Sequence, residues 1–302
     1  MALFGGGLIG SAIARALGRA GFQVRGDHPY DWHNATKRSQ ELASVTSALS
    51  RISPGGEESG RIDLVWAAGT SGFGSSLEEM DAETALVTEL ALVCRQLGSP
   101  PEAPRIAFHL VSSGGGLFEG MAPTGRTTEP RPLRAYGNGK LAQERLASAL
   151  ADTIAAVRIY RPASVYGFAP GARRGLIAAL IANALTGRPT TITATPATLR
   201  DYVLSDDIGA FIAAEIDRDE DGLATHLLGT GKPSTMHEVL TTIEDLLQKP
   251  VLRSFDPHPS NGLNFSYARS ALPCGFYAAP LALGIERTYA RMKHQAARAG
   301  RR

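Results

Sequence analysis

Gly5, Gly7 and Gly10 are spaced G-x-G-x-x-G within "LFGGGLIGSAIARAL", directly after an apolar run and directly before a helical pattern. This placement leaves the chain few options. One glycine permits a sharp turn out of a strand, one lets a bulky anion approach the backbone, and one allows close helix–strand packing. Leu8 and Ile9 belong to the same turn, where the first amides of the helix are unpaired and favour negative charge. The motif therefore predicts a strand–loop–helix unit that cradles a pyrophosphate.

The rest of the chain supports such a unit. "FQVRG", "IDLVWAAG", "RIAFHLVSS" and "TIAAVRIYRP" are short apolar runs, and helical stretches such as "SLEEMDAETALVTELALVCRQLG" and "AYGNGKLAQERLASALA" separate them. Strands alternating with helices predict βαβ units and a parallel sheet covered on both faces. The expected fold is α/β, a doubly wound parallel sheet of the Rossmann type, with "FHLVSS" as its fifth strand. Residues 1–167 read as the dinucleotide-binding domain, with returns from about 199–230. Residues 168–302 read as a smaller, mainly helical lobe for substrate.

A dinucleotide site of this kind needs an acidic residue about 20 positions after the glycines to accept from a ribose hydroxyl. Asp27 fits, and Asp31 can share or replace it. A carboxylate there repels a 2′-phosphate and favours NAD over NADP, whereas Lys37 and Arg38 nearby can instead greet that phosphate.

Composition narrows the function classes. With 31 Lys plus Arg against 29 Asp plus Glu, the net charge of 31 − 29 = +2 gives no reason to expect nucleic acid. "HQAARAGRR" reads as a frayed basic terminus. The most apolar stretch, "GLIAALIANAL", is too short to span a bilayer and contains Asn183. Cys94 and Cys274 are too few for a disulfide framework, and Cys94 reads as a buried thiol. The opening residues lack the basic stretch of a signal peptide, so a reducing cytoplasm is the expected setting.

"RAYGNGKLAQE" places Tyr136 and Lys140 at i and i+4, on one helix face. An ammonium beside a phenol favours the phenolate. A tyrosine so placed can exchange a proton with a substrate hydroxyl while a nicotinamide takes the hydride. Gly137 and Gly139 beside it are expected to leave space for cofactor or substrate, at about 1 kcal/mol each relative to alanine.

With "GGGLIG", "VWAAG", "SSGGGLF", "YGNGK", "YRPASVYG" and "RDYVLSDDIGAFI", the chain resembles, almost end to end, the extended short-chain dehydrogenase/reductases, in particular nucleotide-sugar epimerases and dehydratases. The resemblance implies a catalytic acid/base at Tyr136 and, at Lys140, a residue that binds the nicotinamide ribose and tunes the tyrosine. "VWAAG" matches the family's fourth strand, with Ala67, Ala68 and Gly69 at the strand end under the cofactor, and Pro162 to Val165 match the segment beside the nicotinamide. Ser164 stands where many members have asparagine, and Arg200 matches a diphosphate-binding arginine whose alternative is an ion pair with Asp206 or Asp207. The family's catalytic Ser or Thr falls on Gly114. The hydroxyl is therefore expected from Ser113, with Ser112 as the alternative and a wall of the cofactor site.

The resemblance also bears on the reaction. Dehydratases of the family carry Asp-Glu after that serine, for the leaving hydroxyl and the ring proton. Here the positions read Gly115 and Gly116, with Glu119 farther along the loop. Epimerisation or ketone reduction needs only a tyrosine, a serine and the nicotinamide, and Gly114 to Gly116 are expected to give a keto sugar room to turn. The expectation is thus an NAD-dependent nucleotide-sugar epimerase. Alternatives are a dehydratase or ketoreductase of the same family and a non-catalytic NAD(P)-binding regulator. The resemblance implies a homodimer that packs two helices from each subunit, the one at 77–97, with Leu86, Leu90, Val93 and Leu97 at helical spacing, and the one bearing Tyr136; the alternative is that these residues face their own sheet. No metal, nucleic acid or membrane partner is expected.

Overall fold

The computed structural model describes residues 1–28, 34–50, 61–98, 104–258 and 261–299. The first half alternates strand and helix in chain order: β1 (Ala2–Phe4), α1 (Leu8–Arg19), β2 (Arg25–His28), α2 (Ala35–Ser50), β3 (Ile62–Trp66) and α3 (Leu77–Gly98). Next come β4 (Ile106–Val111), a single turn α4 (Gly114–Leu117), α5 (Ala135–Ser148) and β5 (Ala156–Pro162). The second half opens with β6 (Ser164–Tyr166), α6 (Leu176–Leu185), β7 (Thr190–Ile192), β8 (Leu199–Arg200), β9 (Tyr202–Leu204) and α7 (Ser205–Arg218). It closes with β10 (Gly222–Leu228), β11 (Ser234–Thr235), α8 (Met236–Leu247), β12 (Arg253–Phe255) and α9 (Leu281–Ala299).

Six strands form one parallel sheet in the order β10-β5-β4-β3-β1-β2. β3 and β4 are buried along their whole length, which is why "IDLVW" and "IAFHLV" read as unbroken runs rather than alternations. The α/β class matches expectation, but the strand count does not. Among the described residues no strand lies between α2 and β3, so "VWAAG" ends the third strand and "FHLVSS" the fourth. The second strand also starts at Arg25, later than "FQVRG" suggests.

Two cores sandwich the sheet. One joins β3 and β4 to α2, α3 and α5 through Leu42, Leu64, Trp66, Leu90, Phe108 and Ala147. The other joins the opposite face to α1 and α7 through Ile13, Leu17, Tyr160, Ile208 and Ile212. α1 and α7 pack backbone to backbone: a Cβ at Gly209 would lie 2.5 Å from the Ala12 carbonyl carbon. A third cluster, with Ile177, Leu180 and Ile181 of α6, Val239 and Ile243 of α8 and Ile285 of α9, builds the C-terminal lobe. α9 runs to Ala299, so most of the expected frayed tail is helix, and residues 300–302 lie outside those described.

The strand order reverses at β1, whose neighbours β2 and β3 are reached on opposite sides. The crevice at the carboxyl ends of β1 and β3 is where open α/β sheets bind ligands. There the glycine turn packs on the end of β3, the Ala67 amide donating to the Phe4 carbonyl at 2.8 Å.

Candidate active site

The glycine turn has the geometry its spacing predicts. Gly5 has a φ of 111°, in the left-handed region, and a Cβ there would lie 2.5 Å from the Ala68 amide nitrogen. A Cβ at Gly10 would fall 1.8 Å from the Gly5 carbonyl oxygen, so only glycine lets α1 start this close to the turn. Gly7, the N-cap of α1, has nothing within 4 Å of its Cβ position. The space beside the start of α1 is thus open at Gly7, and a helix start favours an anion. Asp27 pairs with Leu3 across the β1–β2 ladder. The side chain of Asp27, and Asp31 entirely, lie outside the described groups.

Next to this turn is a cavity of about 580 Å³. Ile9, Ser112, Ser113, Tyr136, Pro162, Ser164, Val165 and Arg200 of the expected residues all reach its wall. Tyr136 enters from the first turn of α5, and the Phe73 ring meets it edge-on at 5.7 Å between centroids. Ser113 caps α4: its Oγ accepts from the Gly116 amide at 3.1 Å, which leaves the hydroxyl proton available to donate. Ser112 Oγ is buried and has no hydrogen-bond partner among the described residues.

Lys140 is one turn beyond Tyr136, with its Nζ 5.9 Å from the tyrosine ring centroid. It does not line the cavity. Its ammonium donates to Glu83 Oε1 at 2.7 Å and to Gln143 Oε1 at 3.1 Å. Both ions of this pair are buried. Burial alone would raise the Glu83 carboxyl, but the Lys140 charge and hydrogen bonds outweigh it and hold Glu83 below the ordinary carboxylate range. Burial likewise opposes the Lys140 charge, and Glu83 more than offsets it, leaving the ammonium above its usual value. Two of the three lysine donors are thereby committed and one remains.

The glycines around Tyr136 have roles other than those expected. A Cβ at Gly137 would lie 2.1 Å from the Gly116 carbonyl oxygen, and one at Gly139 would lie 2.4 Å from Met80 Cε. They let α5 press on α4 and α3 rather than leaving room for a ligand. Of Gly114, Gly115 and Gly116, only Gly115 faces the cavity. A Cβ at Gly116 would meet the Tyr136 ring at 2.9 Å, and one at Gly114 would sit 1.8 Å from Tyr267 Oη. Gly114 therefore packs its Cβ side against Tyr267 and is not among the wall residues.

Two further expectations change. Arg200 forms no ion pair with Asp206 or Asp207: Asp206 binds Arg15 at 2.6 Å and Arg291 at 2.7 Å, and Asp207 accepts from the Ala279 amide. Arg200 donates instead to the carbonyls of Leu263 and Asn261, at the cavity edge. Leu86, Leu90, Val93 and Leu97 are buried in the chain's own core, so they are not an interface. Glu119 is buried in a two-pronged pair with Arg134, Nε to Oε2 at 2.8 Å, and is absent from the cavity wall. Cys94 is buried, with its thiol pushed up to about 12 by burial, and Cys274 is exposed.

Sequence reasoning missed Glu83, Phe73, and the lobe residues Leu176, Thr191, Tyr202 and Met236 that close the cavity. Glu83 had a signal: it occupies the position between Met80 and Val87 on the apolar stripe of α3. The lobe residues had none, since ordinary apolar and hydroxyl side chains read as core or surface.

No helix among the described residues is long and apolar enough to cross a membrane, and no group of three or more His, Cys, Asp or Glu among them could hold a metal. No curated protein matches the chain by sequence. Solved structures do match. MoeE5 bound to UDP-glucuronic acid and NAD aligns with a TM-score of 0.77 at 23% identity, over 97% of this chain and 99% of that one. The Thermus thermophilus UDP-glucose 4-epimerase with NAD gives 0.76 at 21% identity, over 97% and 98%. The Bacillus cereus UDP-glucuronic acid 4-epimerase with UDP-glucuronic acid and NAD gives 0.75 at 19% identity, over 97% and 99%. These likenesses show a shared fold. The family model described as NAD dependent epimerase/dehydratase family matches residues 2–228, so with the glycine turn and the Tyr136–Lys140 helix in place the chain belongs to the NAD-dependent epimerase/dehydratase family.

Proposed function

We propose that this protein is an NAD-dependent nucleotide-sugar epimerase. The observation that carries the reading is the cavity wall itself: of its two described tyrosines, Tyr202 is buried in the lobe with its phenol pushed up to about 12 by burial, whereas Tyr136 stands with the Ser112 and Ser113 hydroxyls on the same wall and is the one suited to general acid–base work. Water elimination needs a second acid or base, and Glu119, the nearest carboxylate along the loop, is tied to Arg134 outside the wall. That disfavours the dehydratase alternative. The solved structures of similar fold include complexes of epimerases with UDP-sugars and NAD, which supports the same ligand classes here.

The residues fit the cofactor. The open space at Gly7, the close packing at Gly5 and Gly10, and the partnerless Ser112 hydroxyl make a cradle from the glycine turn to the β4 end. Leu8 and Ile9 flank the pyrophosphate, Ala67, Ala68 and Gly69 run beneath it, and Asp27 takes the adenosine ribose. Pro162 and Val165 bound the nicotinamide end, with Ser112 opposite. A bound nicotinamide supplies hydride acceptance and return.

Tyr136 takes the proton of the sugar hydroxyl as its carbon is oxidised and gives it back after the keto sugar has turned. Ser113 donates to the same oxygen, its own oxygen already engaged by the Gly116 amide. Lys140 uses its remaining donor toward the ribose, held in place by Glu83 and Gln143. Arg200 faces the diphosphate and Ser164 the sugar. The C-terminal lobe, 168–302, closes over the nucleotide. The enzyme works in a reducing cytoplasm as a homodimer. Pairing through the outward face of α3, where Leu92 is 53% exposed, replaces the interface expected from its buried leucines. A monomeric mass at micromolar concentration removes that part.

The test is a screen of UDP-, dTDP- and GDP-sugars for isomerisation with NAD, followed by Tyr136→Phe. General acid–base groups contribute about 10²–10⁴-fold, so turnover should fall at least about 100-fold while NAD binding persists. Ser113→Ala and Ser112→Ala made alongside assign the hydroxyl by the larger loss. Near-normal turnover in Tyr136→Phe refutes the mechanism. A ketoreductase would instead consume NADH stoichiometrically, and a regulator would bind cofactor and turn over nothing.

A further inference from the structure

We propose that the sugar taken by this site is an uncharged hexose unit rather than a uronic acid. The inference rests on the nucleotide-sugar reading and goes beyond it, since both UDP-glucose and UDP-glucuronic acid epimerases share this fold.

The charge inventory of the cavity carries the argument. Among its described wall residues Arg200 is the single charged side chain. Arg200 is at one end, in β8, and two of its five donors hold the Leu263 and Asn261 carbonyls. The diphosphate of a nucleotide sugar already brings two negative charges to that end. The reacting carbon must lie within hydrogen-bond reach of Tyr136. Every ring substituent of the sugar then falls within a ring's width of Tyr136, whichever carbon reacts.

Two cations beside Tyr136 and Phe73 are already paired. Lys140 is neutralised by Glu83 behind the tyrosine, Nζ to Oε1 at 2.7 Å. Arg134 is neutralised by Glu119, and its guanidinium lies 5.0 Å from the Phe73 ring centroid, on a side chain that itself lines the cavity. What the wall offers is Phe73, Gly115, Val165 and neutral hydroxyls. A carboxylate there loses its water and meets no counter-charge, which is costly unless the charge is paired. A hydroxymethyl group or a methyl meets an aromatic ring and small residues at no such cost.

The protein with NAD supplied is first titrated with UDP, dTDP and GDP in thermal unfolding. The glucose and glucuronic acid esters of the nucleotide that stabilises it are then compared. The expected result is a kcat/KM for the glucose ester at least about tenfold above that for the glucuronic acid ester. Phe73→Lys should narrow that ratio by raising turnover of the uronate. A uronate ester processed as well as or better than the hexose ester in the unaltered protein overturns the inference and leaves the epimerase reading intact. If none of the three diphosphates shifts the melting temperature, the nucleotide-sugar reading fails and the inference fails with it, a result distinct from an inverted ratio.

Discussion

Glu83→Gln isolates the buried ion pair that holds Lys140. The substitution keeps side-chain volume and removes one charge. In the native chain Glu83 Oε1 accepts from Lys140 Nζ at 2.7 Å and from Gln143 Nε2 at 3.2 Å. The remaining charged or titratable neighbours of the lysine are Tyr136 and Glu144, and Glu144 is already bound to Arg161 at 2.7 Å. Without Glu83 the ammonium is buried with no free counter-ion, and breaking such a pair costs about 3–5 kcal/mol. Losing the proton does not relieve this. Deprotonating a lysine at pH 7 from an ordinary value near 10.4 costs about 4.6 kcal/mol, at about 1.36 kcal/mol per tenfold. Both routes give a loss of about 3–5 kcal/mol, a large share of the roughly 5–15 kcal/mol that holds a typical domain together.

The assay is equilibrium urea unfolding without cofactor, followed by fluorescence, because Trp66 is fully buried in β3 and reports on the core. A pH series gives the sharper signature. Glu83 is lowered in the folded state, so its contribution is present above the unfolded carboxylate value of about 4.3 and is lost as pH falls through the folded value. Lys140 is raised, so its contribution is present below about 10.4 and is lost as pH rises through the folded value. The native pair is therefore flat through neutral pH. In Glu83→Gln the lysine is buried without its partner, its folded value drops, and stability rises with pH toward about 10. Glu83→Gln combined with Lys140→Met removes both charges and should recover most of the loss. A single-variant loss below about 1 kcal/mol with no pH slope refutes the reasoning, given the magnitude expected for a buried pair. So does a double variant no more stable than the single.

Two further outcomes follow from the cofactor turn and the helix behind Tyr136. NAD(H) should bind more tightly than NADP(H), since Asp27 is in the second strand opposite Leu3; titration of both decides it, and the reverse order shifts attention to Lys37 and Arg38 near the start of α2. Gly139→Val should destabilise by about 1–3 kcal/mol in urea unfolding, because its Cβ would lie 2.4 Å from Met80 Cε and 2.9 Å from Met80 Cβ. A neutral or stabilising effect would mean α5 can move off α3 freely.

Much of the fold is legible because its signals are local. The turn at Gly5 to Gly10 is encoded within a few residues, and the buried strands β3 and β4 are continuous apolar runs whose length separates them from helices. The strand count is not local. A resemblance supplies the usual number of strands, but among the described residues none forms between α2 and β3. The faces of α3 show a similar limit. Leu86, Leu90, Val93 and Leu97 fit a helical stripe equally well against a sheet or against a second copy, and only the packed structure assigns them to the core.

The site shows the same boundary between local and distant causes. Tyr136 and Lys140 are readable because helix geometry fixes i and i+4 neighbours. Gly114 is readable only as a departure, since its cause is more than a hundred residues away. Tyr267 is buried and donates its hydroxyl to the Arg161 carbonyl at 2.8 Å, and that hydroxyl occupies the place a side chain at 114 would need. A serine at 114 and a tyrosine at 267 are thus mutually exclusive with this backbone. With Tyr267 in place, the hydroxyl that the proposed mechanism asks for is sought elsewhere on the β4 end. Ser112 and Ser113 are the two serines there that reach the cavity wall.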